Sequence, residues 1–173
     1  MRRWLTTLGL LVLAACAPQP VFVPDGFRDT NVAITSSTRF DAKRFAGDWT
    51  VIESFEQTPR EVAISRITFR AEAGGYRYIP QAAISPLAQD AEGAVWPLLS
   101  VGQFGRLVPE AGDPIWVIWV DEDHRTAALG TPSGRFGMII NRTKTLRSDR
   151  LNAAREILAF NGYDLTKLRK VSP

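Results

Sequence analysis

The sequence predicts an all-β fold: an eight-stranded antiparallel up-and-down β-barrel followed by one C-terminal helix. Three observations carry this. From Phe40 onward, short apolar or alternating runs are separated by turn residues at close intervals. Only the segment near 148–161 has helical periodicity over a full helix length. The 173 residues are 45% hydrophobic, which supplies the core of one domain. Antiparallel strands joined by tight turns must cover their edges, and closing into a barrel does so.

The elements follow in order. Asp41 N-caps a short turn reaching Phe45, and Gly47 opens a strand over 49–55. A polar loop, 56–61, contains Pro59. The run 62–70 alternates, with Ser65, Ile67 and Phe69 on one face and Arg66, Thr68 and Arg70 on the other. Ala73-Gly74-Gly75 is a hairpin signal, and 76–79 is the return strand. Pro80, Pro86, Pro97 and Pro109 divide the next stretch, the weakest, into short candidate strands near 82–86, 94–100 and 104–108, for about eight strands in all. Strands at 115–120, 126–130 and 135–141 are joined by turns at 121–125 and 132–134. Ser148 is the expected helix N-cap, Leu151, Ala154, Ile157 and Leu158 form its apolar stripe, and Asn161-Gly162 stops it. Leu165, Leu168 and Val171 indicate an extended tail packing back on the barrel.

The N-terminus has a different logic. Arg2 and Arg3 precede an apolar run, 4–15, too short to span a bilayer, which takes about 20 residues. It reads as a secretory signal peptide over 1–15. Leu13-Ala14-Ala15-Cys16 resembles the lipobox of bacterial lipoproteins, in which the cysteine thiol is diacylated; the alternative is ordinary cleavage near Ala15 or Ala17 with a free thiol. The resemblance implies an acylated Cys16 as membrane anchor, and Ala17 in place of Asp implies sorting to the outer membrane, with the periplasmic face expected. Residues 16–37, with Pro18, Pro20 and Pro24, read as acylated N-terminus and flexible tether, leaving 38–173 as the barrel domain. A single cysteine excludes an internal disulfide.

Of 21 Lys and Arg, Arg2 and Arg3 leave with the leader, so 19 stand against 18 Asp and Glu. That near-neutral balance gives no electrostatic case for nucleic acid. No cofactor or metal is implied: Asp121, Glu122, Asp123 and His124 read as a solvated turn. His124, the one histidine, lies in that turn rather than in an active site, and Gly-x-Ser-x-Gly is absent. The expectation is therefore not an enzyme.

The segment from Phe40 to Trp49, with Gly47-Asp48-Trp49, resembles the first signature of the lipocalin family. Trp116 to Asp121 resembles the second, and Met138 to Thr143, with Arg142, the third. The helix and the ending Asn161 to Leu168 are similar to the bacterial, apolipoprotein-D-like branch. Thr50 stands where the family usually has an aromatic residue, and the turn after Asp121 lacks the usual Tyr. The resemblance implies that Gly47, Trp49, Asp121 and Arg142 are structural, with the Arg142 guanidinium over the Trp49 indole at the closed end. It also implies non-covalent binding of a fatty acid, lysophospholipid or similar lipophile.

Alternation from Trp49 places Val51, Glu53 and Phe55 inward; alternation from Arg142 places Ile140, Met138 and Phe136 inward. Ile67, Phe69, Tyr76 and Tyr78 are assigned inward on their strands. Both faces of 115–120 are apolar, so alternation does not fix its direction; Ile115, Val117 and Trp119 are assigned inward, with small Thr126, Ala128 and Gly130 facing them. The ligand-binding set is thus Val51, Glu53, Phe55, Ile67, Phe69, Tyr76, Tyr78, Ile115, Val117, Trp119, Phe136 and Met138. Glu53 either meets a polar partner in the cavity or sits in a register that turns it to water. The expected mouth is ringed by 56–61, 109–114 and 131–134. The alternative to a carrier is a structural or interaction lipoprotein whose barrel is filled by its own side chains.

Overall fold

A computed structural model describes residues 26–55, 64–82 and 97–171. The Asp41 carboxylate accepts from the backbone N–H groups of Lys43 (2.9 Å) and Arg44 (3.0 Å), capping the single turn α1 (Ala42–Phe45). Gly47 follows at φ +101°, a conformation side chains resist, and swings the chain into β1 (Gly47–Ser54). The remaining wall strands are β2 (Ile64–Glu72), β3 (Gly75–Ala82), β4 (Leu98–Val101), β5 (Arg106–Pro109), β6 (Ile115–Val120), β7 (Thr126–Gly130) and β8 (Gly137–Asn141).

Each strand pairs antiparallel with the next, and β8 and β2 both pair with β1, so the eight strands close into a barrel. The β1–β2 seam runs only from Gly47↔Phe69 to Thr50↔Arg66. Above it the tail strand β9 (Arg169–Lys170) takes the same edge of β1, with Glu53↔Lys170, and Val171 is buried against the barrel interior. The tail therefore completes the wall where β2 has diverged. Turns at 73–74, 102–105 and 121–125 mark the end that holds α1; residues 110–114 and 131–136 mark the opposite end, the mouth. The expected mouth loop at 56–61 lies outside the described residues, as does the expected strand interior at 83–86.

The helix α2 (Ser148–Phe160) lies on the outer face of β6, β7 and β8. Ser148 is its first helical residue rather than its cap; Arg147 holds the cap position without a side-chain bond to the helix. At the other end, Gly162 N–H bonds the Ala159 carbonyl (2.9 Å) and Tyr163 N–H bonds that of Leu158 (3.0 Å), with Gly162 at φ +86°. This is the paired bonding that satisfies the last carbonyls of a helix. Leu151, Ala154, Ile157 and Leu158 face a second apolar layer containing Phe27, Phe55, Ile118, Ala128, Ile139 and Tyr163.

Residues 26–37, expected in the tether, are instead bound to the barrel. Phe27 N–H donates to the Gly134 carbonyl (2.7 Å) and its ring lies 5.5 Å from that of Phe55. The buried Arg28 guanidinium donates to the carbonyls of Asn161 (3.0 Å), Pro132 (2.6 Å) and Val32. Thr35 N–H donates to Asn161 Oδ1 (2.7 Å) and Ser37 N–H to the Val117 carbonyl (2.8 Å). The tether reading rested on missing periodicity, and a strap held through side chains and carbonyls leaves no period to see. Residues 1–25, with Cys16, lie outside the described residues.

Candidate ligand-binding site

The floor of the barrel is built by Trp49 and Arg142. The guanidinium carbon stands 3.8 Å above the indole centre, a cation–π contact. The same guanidinium donates to the carbonyls of Asp48 (2.9 Å), Ala46 (3.0 Å), Phe45 (3.1 Å), Arg44 (2.6 Å) and, through Nε, His124 (3.3 Å). Burial holds its pKa below the ordinary value, with Asp48 opposing. Trp49 Nε1 donates to the Phe45 carbonyl (3.0 Å), and the Tyr76 hydroxyl to that of Ala42. Rings of Phe45 and Trp49 (4.9 Å), Phe45 and Phe69 (5.1 Å), and Phe69 and Tyr76 (5.8 Å) stack above this plug.

Asp121 and His124 fix the neighbouring turn. One Asp121 oxygen accepts from Arg125 and Thr126 N–H (2.6 and 2.9 Å), and the other pairs with Arg150 at 2.8 Å. His124 Nε2 accepts from Asp41 N–H at 3.1 Å, tying α1 to the turn. Glu122 and Asp123 are exposed but Asp121 and His124 are buried, so the turn is only half solvated as the sequence had it.

Val51, Ile67, Phe69, Tyr76, Tyr78, Ile115, Val117, Phe136 and Met138 all belong to the interior cluster. Trp49, Phe45, Ile67, Phe69, Tyr76, Leu107, Val120 and Ile140 expose 2% or less of their surface. The deep half is therefore filled with protein. Toward the mouth, Ile64, Ile115 and Phe136 remain partly exposed and face the same interior, as does Tyr78 deeper in, beside Phe69. Ile64, Ile115 and Phe136 are the apolar side chains a molecule entering the mouth would meet first.

Three assignments are overturned by β-bulges, which add a residue and reverse the alternation beyond it. On β1 the register shifts between Val51 and Glu53. Glu53 therefore points out under α2, where Arg155 Nε donates to Oε2 at 2.8 Å and Nη2 pairs with Oε1. Phe55 follows it outward, 5.0 Å from the Tyr163 ring. On β6 the register shifts between Val117 and Trp119, so Trp119 joins the outer layer and Val120 turns inward. On β7 the inward residues are Ala127 and Leu129; Ala128 faces α2 and Gly130 faces Tyr163. A third shift, between Ile64 and Arg66, brings Ile64 inward.

Leu99, Leu107 and Val171 were not anticipated as interior residues. The prolines around the first two obscured the period, and the pairing of Val171 depends on where β2 leaves β1. Outside the barrel, a cavity of about 160 Å³ is lined by Arg125, Asn141, Thr143, Thr145, Leu146, Arg147 and Arg150. Its guanidinium-rich lining does not suit a lipophile. Among the described residues no group of three or more His, Cys, Asp or Glu is arranged to hold a metal.

A family model described as a lipocalin-like domain matches residues 79–173. The chain belongs to the lipocalin-like family. Over 70 residues this lipocalin is 33% identical to temperature-induced lipocalin-1 of Arabidopsis thaliana, a match covering 40% of the chain and 37% of that protein. The chain thus spans little more than a third of that relative's length. Among solved structures it is similar to Per a 4, a major allergen from cockroaches, with TM-score 0.60, 11% identity, and coverage of 81% of this chain and 92% of that one. Lobster apocrustacyanin A1 gives TM-score 0.52 at 12% identity, covering 80% and 89%. At such identities the likeness is one of fold. The lipocalin fold supports binding of small hydrophobic molecules, and the family in general binds and carries rather than catalyses.

Proposed function

We propose that this lipocalin belongs to the bacterial, apolipoprotein-D-like branch and reversibly binds a fatty acid, lysophospholipid or similar lipophile. Acylated Cys16 would hold it on the periplasmic face of the outer membrane. The observation that carries the binding reading is the graded interior. Fully buried side chains fill the floor, while Ile64, Ile115 and Phe136 keep apolar surface partly exposed at the mouth. Each ligand methylene taken from water there contributes about 0.8 kcal/mol before ordering costs. A shallow site suits one acyl chain entering from the mouth end. Non-covalent transport, storage or scavenging then needs no catalytic group.

The filled deep half also favours a second reading, an envelope scaffold that carries no cargo. Organic extraction of the purified full chain, followed by mass spectrometry, separates the two. A stoichiometric lipophile, with saturable change of Trp fluorescence on adding palmitate or a lysophospholipid and weakening by Phe136→Ala, supports the carrier. No co-purified molecule and no response to either lipid overturns it.

A further inference from the structure

We propose that the barrel mouth faces the bilayer, with Phe160 and Val32 seated among the lipid headgroups. This rests on the anchoring of Cys16 proposed above. Four observations lead to it.

The described chain enters the fold at the mouth. Phe27 N–H bonds the Gly134 carbonyl and Arg28 bonds that of Pro132, both in the β7–β8 connection at that end. A Cβ on Gly26 would lie 3.0 Å from the carbonyl oxygens of Ser133 and Gly134, so the strap is pressed against the rim from its first described residue. Only ten residue steps separate Gly26 from Cys16. A chain of that length reaches at most about 36 Å when fully extended.

An eight-residue strand such as β1 measures about 26 Å along its own axis, and tilted by about 40° in a barrel it makes a wall about 20 Å tall. A bilayer placed against the closed end would require those ten residues to run back past that wall and spend more than half of their reach. A bilayer at the mouth requires no such return.

The α2 helix runs from the closed end to the mouth. Near its start, Arg150 pairs with Asp121 and Asp123 of the 121–125 turn; beyond its end, the Tyr163 hydroxyl bonds Thr131 and Phe136. Phe160, in its last turn, is 73% exposed, the largest value among exposed large apolar side chains of the described residues.

Val32 lies beside the same helix end, its Cβ 3.0 Å from where a Cβ on Gly162 would stand, and is 36% exposed. Thus two exposed apolar side chains share the end at which Gly26 and Phe27 bind the rim. The competing features are Phe104, 50% exposed in the 102–105 turn at the closed end, and Val108, 44% exposed on the wall strand β5. In the proposed orientation Phe104 stays in water. A lipophile then passes between membrane and barrel without crossing solvent.

The test uses the acylated full chain on vesicles of phosphatidylethanolamine and phosphatidylglycerol. A solvent-sensitive fluorophore is placed on a cysteine introduced by Phe160→Cys or, separately, Phe104→Cys; acylation blocks Cys16 against the label. Doxyl-labelled lipid is expected to quench the 160 probe several-fold more than the 104 probe, with a blue-shifted emission only at 160. Equal quenching, stronger quenching at 104, or none at either position overturns the orientation. A mass spectrum without acyl chains on Cys16 overturns the anchoring reading, and this inference with it. Acylated protein with the reversed quenching pattern overturns the orientation alone.

Discussion

Arg155 of α2 grips the carboxylate of Glu53 from outside the barrel, its Nε 2.8 Å from Oε2. Glu53 is 5% exposed, whereas the Arg155 side chain is 40% exposed. Removing the arginine strands a buried carboxylate; removing the carboxylate leaves a guanidinium that water can reach. Arg155→Ala is therefore expected to lower stability by about 1–2 kcal/mol and Glu53→Gln by less, measured by urea unfolding. Because the pair lies outside the barrel, neither change should alter a lipid titration. Loss of lipid response in Glu53→Gln would return Glu53 to the cavity.

Arg142 differs in that its planar fork serves five carbonyls and an indole at once. A lysine keeps the charge but not the fork. Arg142→Lys is expected to cost about 2–3 kcal/mol, since several carbonyls of the floor lose their donor. The Trp49 environment should change in parallel, seen as a shifted emission spectrum of the folded protein. An unchanged unfolding midpoint would show the plug to be dispensable.

Most of the fold was legible because its signals are local. Gly47, the Asp41 cap, the turn at 73–74 and the Asn161-Gly162 stop each act within a few residues, and the structure uses all four. The inward faces of β3 and β8, and of β2 from Ile67 onward, followed from alternation. The errors at Glu53, Phe55 and Trp119 share one cause. A bulge leaves a run such as Val51-Ile52-Glu53 looking like any strand, since pairing geometry, not residue type, sets where the extra residue falls. The misplaced Trp119 then carried Thr126, Ala128 and Gly130 with it, because β7 had been phased against β6. The strap at 26–37 was invisible for another reason: Arg28 and Asn161 join segments 133 residues apart, and no local pattern encodes that pairing.

Gly130 lies against the Tyr163 phenol. A Cβ there would stand 2.3 Å from the hydroxyl oxygen and 2.6 Å from Ile118 Cδ1. That hydroxyl accepts from Thr131 N–H (2.9 Å) and donates to the Phe136 carbonyl (2.8 Å), so displacing it loosens the mouth connection. Gly130→Ala is expected to cost about 1–3 kcal/mol through overpacking, and faster amide exchange at Thr131 should accompany it. Full stability with unchanged exchange would mean that Tyr163 does not hold this loop.

The same phenol sets an alkaline limit on stability. Burial raises the Tyr163 pKa from 10.0 to about 12, with the Thr131 backbone and Arg28 opposing, and burial raises Tyr76 similarly to about 12. In the unfolded chain these hydroxyls ionise near 10.0. The folded state thus holds protons that the unfolded state has released. Their contribution is complete below about pH 10 and is lost as pH climbs toward 12, at most about 2–3 kcal/mol for Tyr163. Lysines titrate in the same range, so the comparison is with Tyr163→Phe. That variant loses the mouth hydrogen bonds at neutral pH but should show a shallower fall in stability across the alkaline window, by nearly one proton. Phenolate absorbance of the folded wild type should rise late for Tyr76 and Tyr163. Identical alkaline slopes in wild type and variant would mean that the Tyr163 hydroxyl is in contact with water.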